Sequence, residues 1–261
     1  MRDPVNLKTI PLLDNEKVTI TFNGLPEYNR EDYDLNVDKQ YKKYILDIKR
    51  STRHSFEYSH LMGFLKEYCG MNKCSFYRHV QGSNGSHVKI EIHHDPFTIE
   101  DIIGIVARKR ACYNENIDVP MVCKEVMYLH YNLLVGLISL STTIHSLVGN
   151  GYLFVPTQKV LGRYKEFVQL YNDFILPEQK DILSRIEAMS ETYDEAEGMK
   201  LLEKKFIYID INGDEYNIPT TQDIINLMNQ RISDINDRPK IKPPRITPFI
   251  KYNDTDKPVI F

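Results

Sequence analysis

Two adjacent histidines, His93 and His94, close an alternating run that begins at Val88 and stand just before Asp95-Pro96. Neighbours on a strand point to opposite sides. A bend at Asp95-Pro96 would turn one imidazole toward a bound metal and the other toward a water. A metal ligand and a general base within about 5 Å of each other are what metal-assisted phosphodiester hydrolysis needs. The metal stabilises the scissile phosphate and the leaving oxygen, and the neutral imidazole takes a proton from the attacking water. The plainer alternative is a strand-end pair with one ring packed and the other solvated.

The histidines are not scattered. All eight lie between His54 and His145, and so do all four cysteines. A metal or acid–base site therefore belongs to this central stretch. His145 is the best candidate for a second ligand, on a short helix after the apolar run Val135–Leu140. His130 is a weaker candidate, on a predicted helix with Cys123 and Asn132. The spacings of Cys69, Cys74, Cys112 and Cys123 are not those of zinc knuckles, so they read as buried, reduced thiols. Two basic clusters could contact phosphates. One is Arg108-Lys109-Arg110, and the other runs from Lys39 to Arg53 with Lys42, Lys43, Lys49 and Arg50.

The elements that must position these residues follow from periodicity. Lys17–Phe22 alternates and ends at Asn23-Gly24, a strand and turn. Tyr41, Tyr44, Ile45 and Ile48 predict a helix over 38–50, and Phe56, Leu61, Phe64 and Leu65 predict one over 55–68. Ser75–Val80 and Val88–His94, joined by QGSNGS, predict a β-hairpin. Thr98 caps a helix with Asp101 at its third position. Further helices are predicted over 119–134 and from Ser141 or Thr142 to Val148. Residues 152–204 read as three helical pieces, with Pro177 near the start of one. Lys205–Ile218 reads as a second hairpin around Asn212-Gly213, and 221–235 as a final helix.

The whole is an α+β chain, mostly helical, with a central β-hairpin plus helix and a second, C-terminal hairpin. It divides into an N-terminal arm (1–37), a core (38–155), a helical region with the hairpin (156–236) and a Pro-rich extended tail (237–261). The tail is either disordered or, given Ile246, Phe249, Ile250 and Val259–Phe261, a segment that docks on this chain, a second copy or another protein.

Composition excludes several classes. Thirty-three basic residues face 36 acidic ones, a net charge of −3. That is not a protein coated in positive charge, although a local basic surface is compatible with it. No apolar run reaches the roughly 18–20 residues of a membrane span. The start, Met1-Arg2-Asp3-Pro4, lacks the features of a signal peptide, so the expected compartment is cytoplasmic.

The hairpin with IEIHHDP, followed by VGLISLSTTIHSLVGNG, resembles the HNH (His-Me finger, ββα-metal) endonucleases, phage-encoded members in particular. The resemblance covers about 40 residues. It implies a divalent metal (Mg²⁺, Mn²⁺ or Zn²⁺), with His93 as a metal ligand, His94 as the general base and His145 as the helix ligand. The family's middle Asn falls at Gly136, with Asn132 four residues earlier. The second helix ligand falls at Gly149, with Asn150 adjacent as its substitute. The implied function is cleavage of nucleic acid, with DNA as the expected partner and Arg108, Lys109 and Arg110 at the phosphates. A phage protein of this kind would act in the host cytoplasm. The alternative is a catalytically degenerate scaffold that acts as a phage protein-binding, virion-associated or host-regulatory protein.

Overall fold

The computed structural model describes residues 33–76, 89–195 and 219–237. The expected strand at Lys17–Phe22, the hairpin over 205–218 and the Pro-rich tail lie outside them, as do residues 77–88 of the central hairpin. Within them the chain is α+β and mostly helical. In order come α1 (Asp38–His54), α2 (Phe56–Glu67), β1 (Ile90–His94), α3 (Ile99–Cys112), α4 (Val119–Tyr131), β2 (Leu137–Ser141) and α5 (Thr142–Gly149). After them come α6 (Tyr164–Tyr171), α7 (Pro177–Glu191) and α8 (Thr221–Asp237), with single 3₁₀ turns at Thr157–Lys159 and Asn172–Phe174.

β1 pairs antiparallel with β2, setting Ile90 opposite Ser141, Ile92 opposite Ser139 and His94 opposite Leu137. The sequence reading anticipated the first arm of a local hairpin, Ser75–Val80, as the partner. Ser75 instead donates its backbone N–H to Ser139 of β2 at 2.8 Å. The reason is visible in the run Leu137-Ile138-Ser139-Leu140-Ser141, all five of which are buried. A strand covered on both faces shows no alternation, so periodicity alone does not mark it.

β2 runs directly into α5. The Ser141 side chain accepts from the Ile144 N–H and caps the helix. The order strand, strand, helix is therefore present, with α3 and α4 inserted between the strands. α3 starts where the sequence places it: Thr98 and Asp101 form a reciprocal capping box. α4 ends at Tyr131, three residues before the expected Leu134, because Leu133 turns into the left-handed region at φ 51°.

Gly136 is fixed by a close approach. A Cβ there would sit 1.8 Å from the Asp95 carbonyl oxygen. The Asp95 N–H in turn donates to the Gly136 carbonyl at 3.1 Å. Only a residue without a side chain lets the two strand ends cross at this distance.

The core lies between α1, α3 and α4. Tyr44, Ile48, Ile103, Val106, Val122, Val126 and Leu129 are among its fully buried members. No described helix is long and apolar enough to cross a membrane.

Candidate functional site

Alternation along β1 divides its polar side chains between two neighbours. Glu91 and His93 share one face, and His94 takes the other. The first face meets α5. His145 Nδ1 donates to Glu91 Oε2 at 2.6 Å. The rings of His93 and His145 meet edge to face with centroids 4.8 Å apart. Lys89 donates to the other Glu91 oxygen at 2.7 Å. Lys89 and then His145 hold the Glu91 carboxyl below its usual range. His93 is pushed down to about 4, first by burial, then by His145 and Arg53.

The second face meets α4. His94 Nε2 lies 2.8 Å from His130 Nε2. Both rings are buried, at 4% and 0% exposure. The neighbouring bond assigns the tautomers. The Val126 carbonyl can only accept, so His130 Nδ1 donates to it at 2.7 Å. A neutral His130 then offers Nε2 as an acceptor, and His94 Nε2–H donates to it. Burial lowers both affinities for a proton. His94 lies well below its usual value, through burial, then His130, Arg53, His93 and Lys49. Burial likewise takes His130 to about 4, with Arg53 adding to it against the Val126 hydrogen bond.

Asp95 follows on the same strand end. Burial raises its carboxyl to about 7. Its Oδ1 is buried without a hydrogen-bond partner among the described residues.

The sequence-predicted residues thus separate. His93 and His145 come together as the resemblance implies. His94 does not join them. It points the opposite way, into the core, and its Nε2 is occupied by His130. A general base needs a reachable water or hydroxyl, and this ring sits where solvent does not reach. Asn132 ends α4, is fully buried, and gives its Nδ2 to the Tyr128 carbonyl at 2.8 Å. Asn150 ends α5, exposed, with its amide 3.4 Å from Ser146 Oγ. Gly136 is taken up by the Asp95 crossing, and at Gly149 an added Cβ would meet nothing within 4 Å.

The three basic residues assigned to phosphates are bonded inside the fold. Arg108 donates to the Phe174 carbonyl and to Gln179. Lys109 pairs with Glu115 and reaches Glu125 at 3.4 Å. Arg110 holds Glu125 at 2.7 Å.

For a metal, the donor set is the test. Glu91 Oε2 and His145 Nδ1 are bonded to each other. Among the described residues no three His, Cys, Asp or Glu side chains are placed to hold an ion. Sequence reasoning did not single out Glu91, although its spacing of two from His93 on an alternating strand puts it on the same face. His130 was a minor candidate, and no local signal marks it as the partner of His94.

Fold and site together define an α+β protein whose paired histidines tie one strand to two helices. Residues 7–217 match the model of the bacteriophage G278-like virion protein family. The chain belongs to that family. Neither the curated proteins nor the solved structures gave a match.

Proposed function

We propose that this chain is a non-catalytic component of the phage particle, in which the ββα unit serves as a scaffold for protein contacts. The observation that carries the reading is the burial of His94 against His130. The one residue positioned by sequence to activate water is instead part of the core. Family membership supports the same reading, since the family is described by its virion proteins. The Glu91–His145 and His93–His145 contacts fit a scaffold role as well, because they fasten α5 to β1.

The test has two arms. Quantitative mass spectrometry of gradient-purified particles should find the chain at a fixed copy number per particle. The purified protein should leave supercoiled plasmid intact with Mg²⁺, Mn²⁺ or Zn²⁺. Absence from the particle would remove the virion role. Metal-dependent nicking that vanishes in His93→Ala would instead make His93 and His145 a working metal site.

A further inference from the structure

We infer that the outer face of α1, continued by the ring pair at the start of α2, binds the phosphate backbone of nucleic acid. The proposal rests on charge placement and is independent of the virion reading.

At 100° per residue, Lys39, Lys42, Lys43, Leu46, Arg50, Arg53 and His54 all fall within an arc of about 120° on α1. Every one of them is exposed. Apart from Leu46, 52% exposed, each is a cation or a histidine. The acidic residues of α1 avoid this arc. Asp47 is buried and accepts from the Tyr33 hydroxyl at 2.9 Å, and Asp38 lies at the first turn. Lys39, Lys42, Lys43 and Arg53 form no ion pair among the described residues; Lys43 lies over the Tyr33 ring at 5.6 Å, Arg53 is hydrogen-bonded to Tyr58, and Arg50 pairs with Asp47 at 3.6 Å. From Lys39 to His54 the face is about 22 Å long.

Such a face is anomalous in a chain of net charge −3. Other basic groups are paired, Lys49 with Glu100, Lys109 and Arg110 with Glu115 and Glu125, and Arg163 with Glu166. Like charges in a row repel one another, and their natural counterpart is a row of anions. About 22 Å of duplex carries roughly a dozen phosphates. A second feature points to nucleic acid over other polyanions. Ser55 turns the chain directly from α1 into α2, whose Phe56 is 62% exposed and stacked on His60 at 6.0 Å. An exposed ring pair beside a basic row is the combination that grips unpaired bases and their backbone.

The experiment is fluorescence anisotropy of the full chain with a labelled 30-base-pair duplex, the matching 30-mer single strand, and polyglutamate as competitor. Five phosphate contacts predict a log–log salt slope of about −4.5 on duplex and about −3.5 on single strand. Duplex binding then weakens about 500-fold between 50 and 200 mM salt. Reversing K39E/K42E/K43E should cut the duplex slope to about −1.8 and weaken binding at least tenfold. An unchanged circular dichroism melt verifies folding. Reversing Lys180 and Arg185 on α7 should change nothing. Phe56→Ala should weaken the single strand more than the duplex if the rings stack on bases. Salt-independent or absent binding, binding indifferent to the α1 reversal, or equal displacement by polyglutamate would overturn the proposal. A chain found in particles that binds no nucleic acid would leave the virion reading standing.

Discussion

His94 on β1 and His130 on α4 share one hydrogen bond of 2.8 Å between their Nε2 atoms, inside the core. The bond requires His130 to be neutral, with the proton of His94 pointing at the bare nitrogen of His130. A second proton on His130 would set two N–H groups against each other. The pair therefore ties the end of β1 to α4 only as long as His130 stays uncharged.

Stability should fall as the solution is acidified below about pH 6.5. Unfolded histidines take up protons from there downward, whereas folded His130 and His93 hold off until about 4 and burial keeps His94 well below its usual value. The contribution is fully present above pH 6.5 and is lost on the way down. Each fully buried histidine steepens the loss by about 1.4 kcal/mol per pH unit. Asp95 works the other way. Its folded carboxyl binds a proton near pH 7, so it adds stability as pH falls toward its unfolded value of about 4. His93 is partly solvated, and screening reduces its share. The net expectation is a loss of one to two protons' worth per pH unit between about pH 6 and 4.5. Urea melts at pH 7, 6 and 5 read this directly, and a flat or rising profile would refute it.

Substitutions within the pair should differ in kind. His130→Ala leaves the His94 N–H buried without its partner and opens a cavity beside it. It should cost about 2–4 kcal/mol. His94→Gln keeps a donor where Nε2 stands and removes a titrating ring. It should cost under about 1.5 kcal/mol and flatten the acid limb by one proton. Equal losses in the two variants would mean that packing, not the hydrogen bond, holds this junction.

Much of the helical frame was legible in the sequence. The Thr98–Asp101 box, the three-and-four spacing over Tyr44, Ile45 and Ile48, and Pro177 at the first turn of α7 are local signals, and each marks its element. β2 was not legible as a strand, because a run buried on both faces carries no period. The site was legible by half. The motif names His93 and His145 together, and their rings lie 4.8 Å apart. The role of His94 rests on the resemblance alone, and alternation along the strand sends it to the opposite face. Its partner, His130, is set by tertiary packing, which no local pattern reports.

The two glycines at positions where the resemblance calls for ligands should respond oppositely to alanine. Gly136→Ala drives a methyl into the Asp95 carbonyl, a backbone atom that cannot move without separating the strand ends. The loss should exceed about 3 kcal/mol. Gly149→Ala places its methyl in open space at the end of α5. It should be neutral or stabilising by up to about 1 kcal/mol. Thermal melts of the two variants side by side decide this, and a tolerated Gly136→Ala would contradict the crossing geometry.

Arg110 separates a structural role from a nucleic-acid role. Its guanidinium sits 2.7 Å from Glu125 Oε2, with side-chain exposures of 11% and 6%. Tyr171 donates to the other Glu125 oxygen at 2.8 Å, and that contact follows burial in keeping the Tyr171 hydroxyl protonated. Arg110→Ala would leave Glu125 with Lys109 at 3.4 Å as its nearest cation. An uncompensated buried carboxylate is among the costlier single changes, and the loss should be about 2–4 kcal/mol. Glu125→Gln together with Arg110→Met should recover much of it, because removing both charges spares the core an unpaired one. If Arg110 served phosphates instead, Arg110→Ala would melt like the wild type and bind oligonucleotides more weakly. Melting and anisotropy on the same protein sample distinguish these outcomes.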